Sequence, residues 1–203
     1  MVSAAILAGG RATRFGGGDK GSLVVDGRTI FERQVSELSQ IAGEILVVGP
    51  RAPRPGIRGP RDADAVRAVA DLVPGLGPLG GLHTALTEAK GDVTIVVACD
   101  MPYVSARFLA YLVALADEAD AVVPQTERGY HPLCAAYTRA TIDPVARRLA
   151  AGQLKMTDLL ADVRLRVVTA DEIGRFGERH RLLANVNTPA EYDGLEALQS
   201  HEL

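Results

Sequence analysis

The residues best able to do chemistry lie just behind the first apolar run. Leu7-Ala8 leads into Gly9-Gly10, then Arg14, then Gly16-Gly17-Gly18-Asp19-Lys20. Glycines at the end of a buried strand let backbone N–H groups approach a ligand and adopt positive φ. Successive amides then form a concave nest for phosphate oxygens. Arg14 and Lys20 add two cations at a spacing that lets both face one polyphosphate. The same run is compatible with an ordinary flexible loop, and glycine content alone favours that simpler reading.

Two familiar motifs fail here. Gly16–Gly21 satisfies GxGxxG as a string, but the dinucleotide fingerprint needs its first glycine at the strand end, opening a helix. Gly16 stands well beyond Ala8, and helical spacing resumes only near Arg28. The pattern GxxxxGK[ST] is absent, because Asp19 separates Gly18 from Lys20. A dehydrogenase and a P-loop NTPase both lose ground.

Acidic residues stand at two further strand ends. Val93–Cys99 is almost purely apolar and stops at Asp100-Met101-Pro102. A carboxylate there sits where open α/β sheets bind ligands, and Mg2+ needs only a few carboxylates beside phosphate oxygens and water. Asp100 is equally suited to capping the next helix. Asp71 closes another run and precedes Pro74-Gly75-Leu76-Gly77-Pro78-Leu79-Gly80-Gly81, which reads locally as a turn into a helix. His131, in Tyr130-His131-Pro132-Leu133, fits a hydrogen-bonded strand-edge histidine better than a catalytic one. Asn187 or Thr188, in Asn185-Val186-Asn187-Thr188-Pro189, can cap a helix beginning at Pro189. No convincing His/Asp or Ser/His arrangement is visible, so any catalysis rests on positioning and charge.

These groups need strands and helices to hold them. The 203 residues suffice for one domain with a full core, and 47% hydrophobic with 23% charged residues is ordinary for a globular chain. A net charge of −3 offers no electrostatic footprint for nucleic acid or an anionic membrane. The apolar runs are too short to span a bilayer, and the N-terminus lacks the basic region of a signal peptide. Cys99 and Cys134 form no CxxC pair, as expected of a reduced, cytoplasmic protein. Strands are predicted at Val2–Ala8, Glu44–Val48, Val66–Asp71, Val93–Cys99, Ala121–Val123, His131–Tyr137 and Leu165–Thr169. Helices are predicted at Arg28–Ile41, Pro78–Ala89, Ser105–Ala116, Arg139–Ala150 and Pro189–Leu198. The alternation indicates an α/β fold with a mainly parallel sheet. Residues 51–67 hold five arginines and three prolines; they read as a solvated loop around one short strand, or as an arm that touches an anionic ligand.

Taken together, the motifs resemble those of the molybdenum cofactor guanylyltransferases. LAGG-x3-R-F-G-x2-DK is similar to that family's signature, and Cys99-Asp100-Met101-Pro102, the Gly-Pro-Leu turn at 77–79, His131-Pro132 and Asn185-Val186-Asn187-Thr188-Pro189 follow in the family's order. The resemblance runs from Ala4 to about Leu195 and is weak over 51–67. It implies a single-domain, three-layer α/β/α Rossmann-like nucleotidyltransferase fold over 1–203, with a nucleotide-binding half near 1–102 and an acceptor half near 103–203. The implied activity is transfer of GMP from GTP to the terminal phosphate of molybdopterin, with release of pyrophosphate. A related cytidylyl- or sugar-phosphate transferase, or a non-catalytic nucleotide-binding module, is the alternative.

The resemblance also implies roles for single residues. Lys20, Arg14 and Asp100 would be catalytic, with Asp100 holding Mg2+. GTP would meet Leu7, Ala8, Gly9, Gly10, Lys20, Gly49, Asp71, Gly77, Pro78, Leu79 and Asp100, and Asp71 would accept from the N1–H and N2–H2 edge of guanine. The acceptor would meet His131, Pro132, Lys155, Asn185 and Asn187. Lys155 departs from the family, where arginines are usual; it offers a point charge without the bidentate fork. Implied partners are the two substrates and other molybdenum-cofactor biosynthesis proteins or molybdoenzyme chaperones, with no nucleic acid and no membrane.

Overall fold

A computed structural model of the chain describes residues 1–8, 20–49 and 66–186. Ten strands lie within them: β1 Val2–Leu7, β2 Val24–Val25, β3 Arg28–Thr29, β4 Glu44–Val48, β5 Val66–Val69, β6 Val93–Ala98, β7 Ala121–Thr126, β8 Gly129–Tyr130, β9 Cys134–Thr138 and β10 Leu165–Val168. The helices are α1 Ile30–Leu38, α2 Gly77–Glu88, α3 Ala106–Ala114, α4 Ile142–Ala150, and the short α5 Met156–Leu159, α6 Ala170–Gly174 and α7 Arg179–Leu182. The main sheet has the order β10-β7-β9-β6-β1-β4-β5, with β8 paired to β7. Its strands are parallel except β9, which runs antiparallel between β6 and β7, and the short β8, antiparallel to β7.

Residues alternate between two apolar layers, which is why the central strands are nearly continuous apolar runs. Ala4 and Ile6 of β1 join Val35 and Leu38 of α1 and Phe108, Leu109 and Leu112 of α3 on one face. Ala5 and Leu7 join Leu79, Leu82 and Leu86 of α2, Val145 of α4 and Leu159 of α5 on the other. The result is the three-layer arrangement expected. After β1 the chain moves outward through α1 to β4 and β5, then returns through α2 to β6 on the opposite side of β1. This reversal opens a crevice beyond the carboxyl ends of β1 and β6.

Two expectations are corrected at element boundaries. The helix predicted from Arg28 begins at Ile30, because Asp26 and Gly27 take positive φ (51° and 73°) and turn β2 into β3. Thr29 then caps α1: its Oγ1 accepts from Glu32 N–H at 3.1 Å, and Glu32 Oε2 accepts from Thr29 N–H at 2.9 Å. The strand predicted from His131 begins at Cys134, since His131 N–H is spent on Pro124 O (2.8 Å) and Pro132-Leu133 turn the chain. The helix predicted at 189–198 lies outside the described residues. Arg67, the last arginine of the 51–67 stretch, lies in β5 and binds Glu88 at 2.9 Å, so its charge is used within the fold.

The amino edge of the sheet, opposite the crevice, is knotted by a buried carboxylate. Glu44 Oε1 accepts from Ser3 Oγ (2.7 Å) and Lys90 N–H (2.6 Å), and Ser3 Oγ accepts from Gly91 N–H (2.8 Å). A Cβ at Gly91 would stand 2.6 Å from Met1 O and 2.7 Å from Ser3 N, both backbone atoms that cannot swing aside. Gly91→Ala is therefore expected to lose about 1–3 kcal/mol of stability, read as a drop of several degrees in Tm by thermal unfolding.

Candidate functional site

The sheet's hydrogen bonding continues one residue past its strands. Ala8 N–H donates to Val48 O (2.7 Å), Cys99 N–H to Leu7 O (3.2 Å) and Gly49 N–H to Val69 O (3.1 Å). Leu7, Ala8, Gly49, Asp71 and Asp100 are thereby gathered along one edge, at the ends of four neighbouring parallel strands. Gly49 allows this closeness: a Cβ there would lie 3.2 Å from the carbonyl carbon of Ala8. Asp71 and Asp100 are both half-buried, and burial pushes the Asp71 carboxyl above its usual range. Gly9, Gly10, Arg14 and Asn187 lie outside the described residues. Lys20 opens a short 3-10 turn through Ser22.

Helix α2 starts beside this edge. Gly75 and Gly77 take positive φ (85° and 63°), which only glycine adopts without strain, and Pro78 occupies the first turn, where its missing N–H costs nothing. Leu79 is fully buried and anchors the turn in the core, so that Gly77 and Pro78 remain exposed. Gly77, Pro78 and Leu79 therefore divide into a presenting pair and an anchor. Among these residues a ligand can reach only the exposed pair.

Next to Pro78 opens a cavity of about 390 Å3. Its walls are mainly apolar, from Met101, Leu133, Leu154 and Met156, with Tyr130, His131, Pro132 and Asn185 supplying polar groups. The acceptor candidates His131, Pro132 and Asn185, distant from Asp100 in sequence, thus share one cavity with the residue that follows Asp100. Pro132 is held by Tyr137, whose buried O–H donates to Pro132 O at 2.7 Å. Asn185 is held through its neighbour: Val186 N–H donates to Asp100 O at 2.9 Å, and its side chain packs with Val25 and Ile30. Lys155 stands apart. It sits between two wall residues, but its Nζ points to Asp158 at 3.3 Å and its side chain is exposed. Met101, Tyr130, Leu154 and Met156 were not among the sequence candidates. Only tertiary packing brings them together, although Met101 lies within the Cys99–Pro102 motif and Tyr130 adjoins His131.

Charge in the cavity is sparse. His131 Nε2 is 2.8 Å from Thr126 Oγ1, and burial, assisted by Arg128, holds its pKa below the ordinary value. Burial pushes the Cys134 thiol up to about 12, so it lines the wall as a neutral group. Among the described residues no set of three or more His, Cys, Asp or Glu side chains is arranged to hold a metal ion. No helix among them is long and apolar enough to cross a membrane. The arrangement offers a mainly apolar cavity beside the strand-end edge that carries Asp71 and Asp100.

Comparison with known proteins bears on the family and the fold. The family model for the MobA-like NTP transferase domain matches residues 4–168. A molybdenum cofactor guanylyltransferase from Desulfosudis oleivorans is 29% identical over 199 residues, covering 97% of this chain and 95% of the relative. A protein named "probable molybdenum cofactor guanylyltransferase" from Methanothermobacter thermautotrophicus is 36% identical, covering 80% and 84%. Among solved structures, molybdopterin-guanine dinucleotide biosynthesis protein A from Archaeoglobus fulgidus superposes with a TM-score of 0.78 at 24% identity, covering 98% and 99%. The 4-diphosphocytidyl-2C-methyl-D-erythritol synthase from Anaerococcus prevotii reaches 0.69 at 14%, covering 99% and 96%. At such identities the two structures speak to the fold.

The environment of His131 has a measurable consequence. Above 6.5, its ordinary value, the imidazole is neutral in the folded and unfolded chain alike. Below it the unfolded chain binds the proton first, so stability falls with pH until the depressed folded value is passed. His131→Gln is expected to flatten that acid slope in urea unfolding followed from pH 7.5 to 5.

Proposed function

The chain belongs to the MobA-like NTP transferase family, and from that membership we propose that it transfers GMP from GTP to the terminal phosphate of molybdopterin, releasing pyrophosphate. One observation carries the reading: the strand ends at Leu7-Ala8, Gly49, Asp71 and Asp100 form an edge that adjoins an apolar cavity bearing His131, Pro132 and Asn185. A nucleotide along the first and a flat heterocycle in the second would bring two phosphate groups together near Asp100. The nucleotide-binding half is then about 1–102 and the acceptor half about 103–203.

Each residue contributes a definite piece of this chemistry. The attacking phosphate oxygen is already ionised at neutral pH, so no general base is required, and His131, neutral and paired with Thr126, is left to line the acceptor site. Attack in line on the α-phosphorus expels pyrophosphate; Lys20, assisted by Arg14, offsets the charge that develops on the leaving group. Asp71 accepts from the paired N–H donors of guanine, an edge that cytosine lacks. Asp100 fits a divalent cation: a single half-buried carboxylate, with no cage of protein ligands among the described residues, suits Mg2+ completed by phosphate oxygens and water. When bound there, Mg2+ neutralises part of the polyphosphate charge. The reaction would run in the cytoplasm, where Cys99 and Cys134 stay as thiols. Other molybdenum-cofactor biosynthesis proteins or molybdoenzyme chaperones would supply the acceptor or collect the product.

Pyrophosphate release with Mg2+, molybdopterin and each NTP in turn tests the proposal. Release with GTP only, and only with acceptor, is expected; release with CTP would overturn the base assignment to Asp71, and silence with every NTP the transfer itself. Lys20→Ala is expected to keep the fold by circular dichroism and to lose about 10²–10³ in turnover. Near-normal turnover would remove Lys20 from the mechanism.

A further inference from the structure

We propose that Gln34 of α1, seconded by Arg33, is the positioning residue for Asp100. Helix α1 turns a stripe of Ile30, Val35 and Leu38 into the core, and Gln34 lies within that stripe, fully buried. Its amide spends its donors on the turn that carries Asp100: Nε2 donates to Ala98 O at 2.7 Å and to Met101 O at 3.0 Å. These two carbonyls bracket Cys99 and Asp100. Arg33 Nε donates to Pro102 O at 3.1 Å, and Val186 N–H holds Asp100 O at 2.9 Å. Carbonyls 98, 100, 101 and 102 are thus each gripped from outside their own segment, three of them by two adjacent side chains of one helix.

Packing alone does not account for this glutamine. An apolar residue of the same length would fill the stripe, whereas Gln34 Oε1 is buried and accepts no hydrogen bond among the described residues. A buried acceptor left unsatisfied is a net cost. The compensating gain lies in the two carbonyls, which fix the path of the backbone on either side of Asp100. Arg33 is itself pinned, with Asp26 at 3.1 Å and its guanidinium 5.3 Å from the centre of the Tyr103 ring. Helix α1 follows directly on the segment that begins with Lys20. One rigid element therefore sets the Asp100 turn relative to the end of the glycine-rich loop.

The inference rests on the reading of Asp100 as the metal ligand, and Mn2+ uptake beside GTP tests it apart from turnover. In Gln34→Met the side-chain length is kept and both donors are lost. With a Tm within a few degrees of wild type, the free Mn2+ giving half-saturation, followed by electron paramagnetic resonance on the full chain with GTP, is expected to rise about 10-fold or more. An unchanged half-saturation, whatever the Tm, overturns the proposal. Should Gln34→Met fail to fold, Arg33→Met decides: a rise of about 2- to 5-fold is expected, and none overturns it. Wild-type protein that binds Mn2+ with GTP yet releases no pyrophosphate with molybdopterin would sink the proposed function alone. Wild-type protein that takes up no Mn2+ beside GTP overturns both.

Discussion

Strand β1 is buried on both faces and paired along both edges, with β4 on one side and β6 on the other. A strand so enclosed can release its chain only at the carboxyl end, and there the sheet reverses its direction of growth. The crevice that results is a consequence of connectivity, since α1 carries the chain one way and α2 brings it back the other. The strand-end candidates hang from that edge. Leu7-Ala8 and the glycines follow β1, Asp100 follows β6, and Gly49 and Asp71 follow β4 and β5.

Electrostatics are local in this molecule. A chain of net charge −3 has no basic surface with which to attract phosphates, so donors must be concentrated where they are needed. Several charged groups are occupied with one another. Arg33 holds Asp26, Lys155 faces Asp158, and at the opposite edge Arg67 holds Glu88. The cavity beside Pro78 is correspondingly neutral, its histidine pKa depressed by burial and its thiol protonated. A flat ligand there would be held by apolar contact and a few polar groups, as small-molecule sites commonly are.

The segment after β6 shows how such a site is kept in place. The apolar strand is held by its neighbours, but past Ala98 the chain leaves the sheet, and the carbonyls of 98 and 100–102 need partners from elsewhere. Gln34, Arg33 and the Val186 N–H satisfy them from three points. Stability and positioning are here the same set of hydrogen bonds, because a turn with four of its carbonyls held from other segments has few alternative paths.

Local pattern carried much of this into the sequence. Long β-branched runs such as Val93–Ala98 announce buried strands by composition alone. The spacing of Ile30, Val35 and Leu38 announces the face of α1, and glycine, aspartate and lysine in fixed order after β1 carry the resemblance to the family. The helical spacing beyond Asp26-Gly27 places the predicted start of α1 two residues early, because the hairpin made by that turn takes up Arg28 and Thr29. What sequence did not reveal depends on contacts between distant segments. The antiparallel insertion of β9 between β6 and β7, the meeting of Tyr130, Leu154 and Met156 around one cavity, and the grip of Gln34 on the Asp100 turn are such cases. A polar residue in an apolar stripe was visible at position 34, but its meaning was not, since the carbonyls it binds lie more than sixty residues away. Residue order determined which groups stand at strand ends; only the folded sheet decided which strand ends are neighbours, because hydrogen-bonded pairing is set by the whole core and not by any one segment.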